Sequence, residues 1–123
     1  MIDAHLEGIL WVTGAITMLP LLQFLAPRLG LKLLYKVEVN DPVGLLFARH
    51  WGLLAFVLGA LLFYAAGHPE IRRPVLFAAM VEKAGLVGLL AAQRKAPSAG
   101  GLRLTLAFDA LCSLLYAGWL LGI

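Results

Sequence analysis

The sequence has a single cysteine among 123 residues, and only 14% of it is charged. One thiol, Cys112, excludes an intrachain disulfide, paired-thiol redox chemistry and a cysteine-based zinc site. So little charge leaves no ordinary solvated surface for a water-soluble domain. No basic stripe alternates with aromatic residues, so no nucleic-acid partner is expected. Period-two alternation of apolar and polar residues is also missing, which excludes a transmembrane barrel. The opening stretch MIDAH lacks the basic start and small-residue cleavage site of a secretory signal, so the first apolar run is expected to be retained.

What the chain has in excess is apolar side chain, at 62% of residues and a mean hydropathy of +0.91. The natural solvent for that composition is a bilayer. Crossing ~30 Å of hydrocarbon takes about 20 helical residues, and four runs qualify, at roughly 6–25, 43–66, 74–93 and 102–122. Backbone polar groups find no water in lipid, so these runs must be helices. The expected fold is an all-α, four-helix transmembrane bundle forming one domain over 1–123, with short connections that make sequential helices antiparallel neighbours. Pro20 should kink the first helix, Pro42 and Pro74 suit helix starts, and APSAGG (96–101) is a turn.

The first loop contains RLGLKLLYK, in which Arg28, Lys32 and Lys36 recur every fourth residue between leucines. That pattern suits a short helix lying in the membrane interface, although Gly30 weakens it and leaves an irregular basic loop as the alternative. Loop cations also set orientation. Arg28, Lys32, Lys36, Arg94, Lys95 and Arg103 lie on one side and Arg72 and Arg73 on the other. The positive-inside rule then predicts a multi-pass inner-membrane protein with both termini on the non-cytoplasmic side.

Five ionisable residues interrupt the apolar runs: Arg49 and His50 on the second helix, Glu82 and Lys83 on the third, and Asp109 on the fourth. At ~1.5 Å per residue they fall in one slab some 10 to 16 Å below the cytoplasmic surface. A lone charge there costs about 2.5–3.5 kcal/mol, so pairing is expected, with Arg49 and Lys83 balancing Glu82 and Asp109. Rotation of about 100° per residue then sorts the faces. On the third helix Ala78, Glu82, Gly85 and Ala92 share a small-residue stripe, which should point Glu82 inward. On the fourth, Thr105, Asp109, Ser113 and Tyr116 share a polar stripe with Cys112 at its edge. On the second, Ala48, Gly52, Ala55 and Gly59 form a small stripe. Arg49 is displaced from it by a quarter turn and His50 by about half a turn, so the two cannot face the same neighbour.

Such a layer can be purely structural, fixing helix register through an Arg49–Glu82 or Arg49–Asp109 bridge. It can also be a site for a lipid or other hydrophobic, isoprenoid- or quinone-like small molecule. Two carboxylates in unlike surroundings can take acid and base roles. Glu82 or Asp109 would then be the general acid or base, His50 a proton shuttle and Arg49 an orienting cation. Lys83, Ser113 and Tyr116 would complete the binding groups. Isomerisation, epoxide opening and cyclisation need only such groups, with no cofactor and no metal. Near the N-terminus Asp3, His5 and Glu7 diverge on a helix, and terminal solvation accounts for them better than metal binding. Two further readings are an oligomeric transporter or channel, a homo-oligomer using the small stripe of the second helix as its dimer face, and a non-enzymatic accessory subunit.

The segments FARHWGLLAFVLGALLFYAA and RRPVLFAAMVEKAGLV, covering about residues 47 to 88, resemble bacterial four-helix membrane proteins of the DoxX-like group. The resemblance rests on short apolar motifs around Arg49, His50, Gly52, Glu82 and Lys83. It implies a compact four-helix bundle and, for some relatives, redox-partner or quinone-linked roles.

Overall fold

A computed structural model describes residues 2–92 and 99–123, and among these the chain is helical, with no strand. A 3-10 turn at Ile2–His5 runs into α1 (Leu6–Thr17), followed by α2 (Leu21–Leu25), α3 (Pro27–Tyr35) and α4 (Pro42–Ala66). A second 3-10 turn at Pro69–Ile71 leads into α5 (Arg72–Ala92), and α6 covers Ala99–Leu120. Three helical stretches, Ile2–Leu25, Pro42–Ala66 and Pro69–Ala92, are long and apolar enough to cross a membrane. Arg94 and Lys95 lie outside the described residues. So does the first half of the expected APSAGG turn, while its second half already belongs to α6.

Local chemistry sets the boundaries. Asp41 caps α4, its Oδ2 accepting the Gly44 N–H at 2.7 Å, and Pro42 occupies a first-turn position that needs no N–H. Pro20 does more than kink the first helix. It lacks an N–H, and its ring collides with the carbonyl four residues earlier. The helix therefore stops at Thr17 and turns through Met18–Pro20, with Leu21 N–H donating to Met18 O at 3.0 Å, before resuming as α2. The RLGLKLLYK segment is helical, and α3 ends at Lys36, whose φ of 56° is left-handed. Gly30 is tolerated there because a Cβ at that position would run into the backbone of Gln23.

α1 and α2 pack along α4, and α5 packs along α6. The α1–α4 seam is closed by two glycines: a Cβ at Gly14 would lie 2.9 Å from Gly59 O, and one at Gly59 would lie 2.7 Å from Gly14 O. The small stripe expected on the second helix thus serves contact within the chain. Gly52 and Gly59 are buried against α1 and α2, and Ala55 is buried between them along the helix. Leu6, Leu10, Leu62, Leu76, Cys112 and Tyr116 are fully buried and form much of the core. Two contacts bring the chain ends together. Ile2 N–H donates to Ile123 O at 3.4 Å, and the Trp119 indole donates to Asp3 Oδ1 at 2.9 Å. At the 67–71 turn Arg72 reaches back to Ala65 O (3.0 Å) and Ala66 O (2.6 Å), closing carbonyls that the end of α4 leaves open.

α5 presents a different face from the one its sequence suggests. Leu76, Ala79 and Lys83 are buried, whereas Ala78, Gly85 and Ala92 are exposed and Glu82 is half-buried. A small-residue stripe fits a helix interface only when no neighbour outcompetes it. Here the long side chain of Lys83 finds a carboxylate on α6, and the helix is turned to suit that pair.

Candidate functional site

Three helices meet at Lys83. Its ammonium donates to Asp109 Oδ1 at 3.1 Å and to Thr17 Oγ1 at 3.0 Å, and it sits 4.8 Å from the centroid of the Phe108 ring. The Lys83 and Asp109 side chains are 3% and 7% exposed. A charge taken out of water survives only with a close partner and with its remaining donors directed at acceptors or a ring face. The surrounding hydroxyls are tied to backbone. Thr17 donates to Thr13 O and Thr13 to Ile9 O, both at 2.7 Å, while Tyr116 donates to Thr13 Oγ1 at 2.6 Å.

Beside this knot is a cavity of about 170 Å³. The break between α1 and α2 contributes Thr17 and Pro20, α3 contributes Tyr35, and α4 contributes Trp51. Glu82 and Lys83 come from α5, and Phe108 and Asp109 from α6. Leu19 and Leu104, both exposed, also line it, so the cavity reaches the apolar outer surface. Tyr35 and Trp51 stack with centroids 5.2 Å apart and planes 16° from parallel, which seats α3 against α4. Burial pushes the Tyr35 phenol above its ordinary range, and the nearby charges of Asp109 and Glu82 push it further, so it remains a hydrogen-bond donor.

Glu82 differs from its neighbours. Among the described residues it makes no ion pair and accepts no hydrogen bond, and its Oε2 is buried. Lys83 is adjacent in sequence, but about 100° of helix rotation turns it to Asp109 instead.

The structure therefore brings Glu82, Lys83 and Asp109 to one cavity, and it separates the other residues singled out from the sequence. Arg49 is exposed on α4, where its Nε donates to Phe24 O at 3.1 Å and its guanidinium lies over the Phe24 ring at 5.6 Å. His50 is exposed as well. The expectation that Arg49 bridges to Glu82 or Asp109 is corrected, because the end of α2 before Pro27 leaves the Phe24 carbonyl open as a nearer acceptor for the guanidinium. Ser113 bonds the carbonyl of Asp109 at 2.8 Å, and Tyr116 points to Thr13, so neither lines the cavity. Asp3 is engaged by Trp119, and among the described residues no group of three or more His, Cys, Asp or Glu is arranged to hold a metal ion.

Sequence reasoning missed Thr17, Tyr35 and Trp51. Thr13 and Thr17, four apart on an apolar helix, were a readable signal for a polar face. Tyr35 carried none, because its place depends on how the first loop folds back. No protein-family model, no curated protein and no solved structure matches the chain.

Proposed function

We propose that the chain is a multi-pass inner-membrane protein whose cavity binds the polar head of a hydrophobic small molecule taken from the bilayer. In this reading α1 with α2, α4, α5 and α6 are the four crossings, and both termini lie on the non-cytoplasmic side. The meeting of Ile2 with Ile123 supports an even number of crossings. The likeness of the second and third helices to DoxX-like proteins agrees with that architecture.

One observation carries the binding reading: a cavity that joins the apolar surface at Leu19 and Leu104 to Glu82 and the Lys83–Asp109 pair. Protein interiors are close-packed, and a dry cavity of roughly 150 Å³ is known to take up a benzene-sized guest. A space of about 170 Å³ therefore accepts a head of one small ring or its equivalent, with the tail left to the lipid. A fused multi-ring body is too large to enter whole. Acid–base chemistry on such a head would fall to Glu82, because Asp109 is held by Lys83 and His50 faces away.

A purely structural role is favoured by the complete pairing of Lys83, but that role leaves Glu82 and the cavity without purpose. Native mass spectrometry of protein extracted in a mild neutral detergent separates the two. Wild type should retain a small lipophile, and Leu104→Trp, which narrows the outer end at an exposed position, should lose it. Wild type that carries nothing beyond bulk phospholipid, and takes up nothing from a lipid extract, would overturn the proposal.

A further inference from the structure

We propose that the head bound in this cavity is cationic, a protonated amine or quaternary ammonium on a hydrocarbon tail. The inference rests on the cavity being a ligand site, as argued above. It begins with a count of charges. Two carboxylates, Glu82 and Asp109, line the cavity against one ammonium, Lys83. That ammonium is spent on Asp109 and Thr17. Among the described residues no other cation lines the cavity, and Arg49, the obvious second candidate, is occupied at Phe24 O on the outer face of α4. One carboxylate is left without a counter-charge, and a buried Oε2 without a hydrogen bond.

The walls point the same way. Tyr35, Trp51 and Phe108 line the cavity, and aromatic faces attract cations, tryptophan most strongly. An anionic head would meet uncompensated negative charge. A neutral head would leave the Glu82 carboxylate as it is. An ammonium supplies the missing charge and uses the rings, and a trimethylammonium group or a small cyclic amine fits about 170 Å³. Its tail leaves between Leu19 and Leu104, where apolar side chains already face outward.

The test is a native mass spectrometry titration of the full chain in neutral detergent with three probes of one chain length: dodecyltrimethylammonium, dodecanol and dodecyl sulfate. Wild type should bind the ammonium about tenfold more tightly than the alcohol, the scale of one partly desolvated cation–π contact, and the sulfate least. Glu82→Gln should cut the preference to the few-fold that the aromatic walls alone supply, with the ammonium weakened more than the alcohol. Trp51→Leu, which keeps the wall apolar, should weaken the ammonium several-fold more than it weakens the alcohol. Equal binding of ammonium and alcohol would overturn the cationic assignment, a proton on Glu82 then supplying the counter-charge, while the binding reading would stand. Equal binding of all three probes, insensitive to either substitution, would mean surface partition and would also overturn the assignment. No binding of any probe would remove the ligand site itself.

Discussion

Lys83 and Asp109 meet Nζ to Oδ1 at 3.1 Å, with almost no exposure on either side chain, and this pair sets how α5 faces α6. The energetic content of such a pair lies in what remains when one member is removed. Lys83→Met leaves a buried carboxylate without its partner and should destabilise the fold by about 3 kcal/mol or more. Replacing both, Lys83→Met with Asp109→Leu, should recover most of that loss, because no charge is left stranded. The measurement is a double-mutant cycle by reversible unfolding in mixed micelles. Additive losses would show that the two residues are not coupled.

Glu82, one residue away, should behave in the opposite manner. It makes no ion pair and accepts no hydrogen bond among the described residues. Glu82→Gln should therefore leave stability within about 0.5 kcal/mol of wild type or raise it slightly, in contrast to Asp109→Asn, which disturbs a satisfied pair. Thermal unfolding of both variants side by side decides the matter. A large loss at Glu82 would mean that the carboxylate holds the fold.

The contrast between these two neighbours also shows where the sequence stops being informative. Apolar runs located the helices to within a few residues, since 43–66 became Pro42–Ala66 and Pro42 was readable as a helix start, whereas the Asp41 cap emerged only in the structure. Hydropathy says how long a helix is, but its orientation depends on which neighbour wins. On α5 the small stripe of Ala78 and Gly85 competed with the single pair Lys83–Asp109, and the pair prevailed. Arg49 was misplaced for a related reason. The carbonyl that satisfies it, Phe24 O, is open because α2 ends at Leu25 just before Pro27, and the apolar run 6–25 gave no sign of where that short helix would stop or what would approach its end. Tyr35 was out of reach because its contact with Trp51 closes a loop over sixteen positions.

The α1–α4 seam gives a test of packing that is independent of charge. At Gly59 an added Cβ would lie 2.7 Å from Gly14 O and 2.7 Å from Met18 N, both backbone atoms that cannot swing aside. Gly59→Ala should force the helices apart and cost about 1–3 kcal/mol. Gly88, in α5, has nothing within 4 Å of its would-be Cβ, so Gly88→Ala should be neutral or stabilising by up to about 1 kcal/mol through helix propensity. Equal effects at the two positions would refute the close approach of α1 to α4.

Alkaline pH reports on the seat of α3. Because the folded chain holds the Tyr35 phenol above its ordinary range, the unfolded chain ionises first, at about pH 10. The contribution of Tyr35 is therefore complete below that pH and declines above it, as the unfolded state gains the charge that the folded state resists. Stability should fall as pH rises past about 10, and Tyr35→Phe should flatten the fall. Absorbance of phenolate followed alongside unfolding supplies the check. An identical alkaline slope in wild type and variant would place Tyr35 in a wetter setting than the one seen here.

Four crossings require the turn between α4 and α5 to emerge on the same side as both termini, and α3 on the other. Cys112 is fully buried and should be silent to polar thiol reagents, which makes added cysteines readable. In sealed right-side-out vesicles Glu70→Cys should label from outside, as should a cysteine appended to either terminus, while Lys32→Cys should label only after the membrane is opened. Both positions are exposed, Lys32 outside the long apolar stretches and Glu70 in the turn that opens one of them, so neither change disturbs packing. Three crossings would place the two ends of the chain on opposite sides, and the contacts of Ile2 with Ile123 and of Asp3 with Trp119 could not then form. Labelling of the termini from opposite faces would thus overturn the four-crossing topology and, with it, the argument that α6 closes the cavity within the membrane.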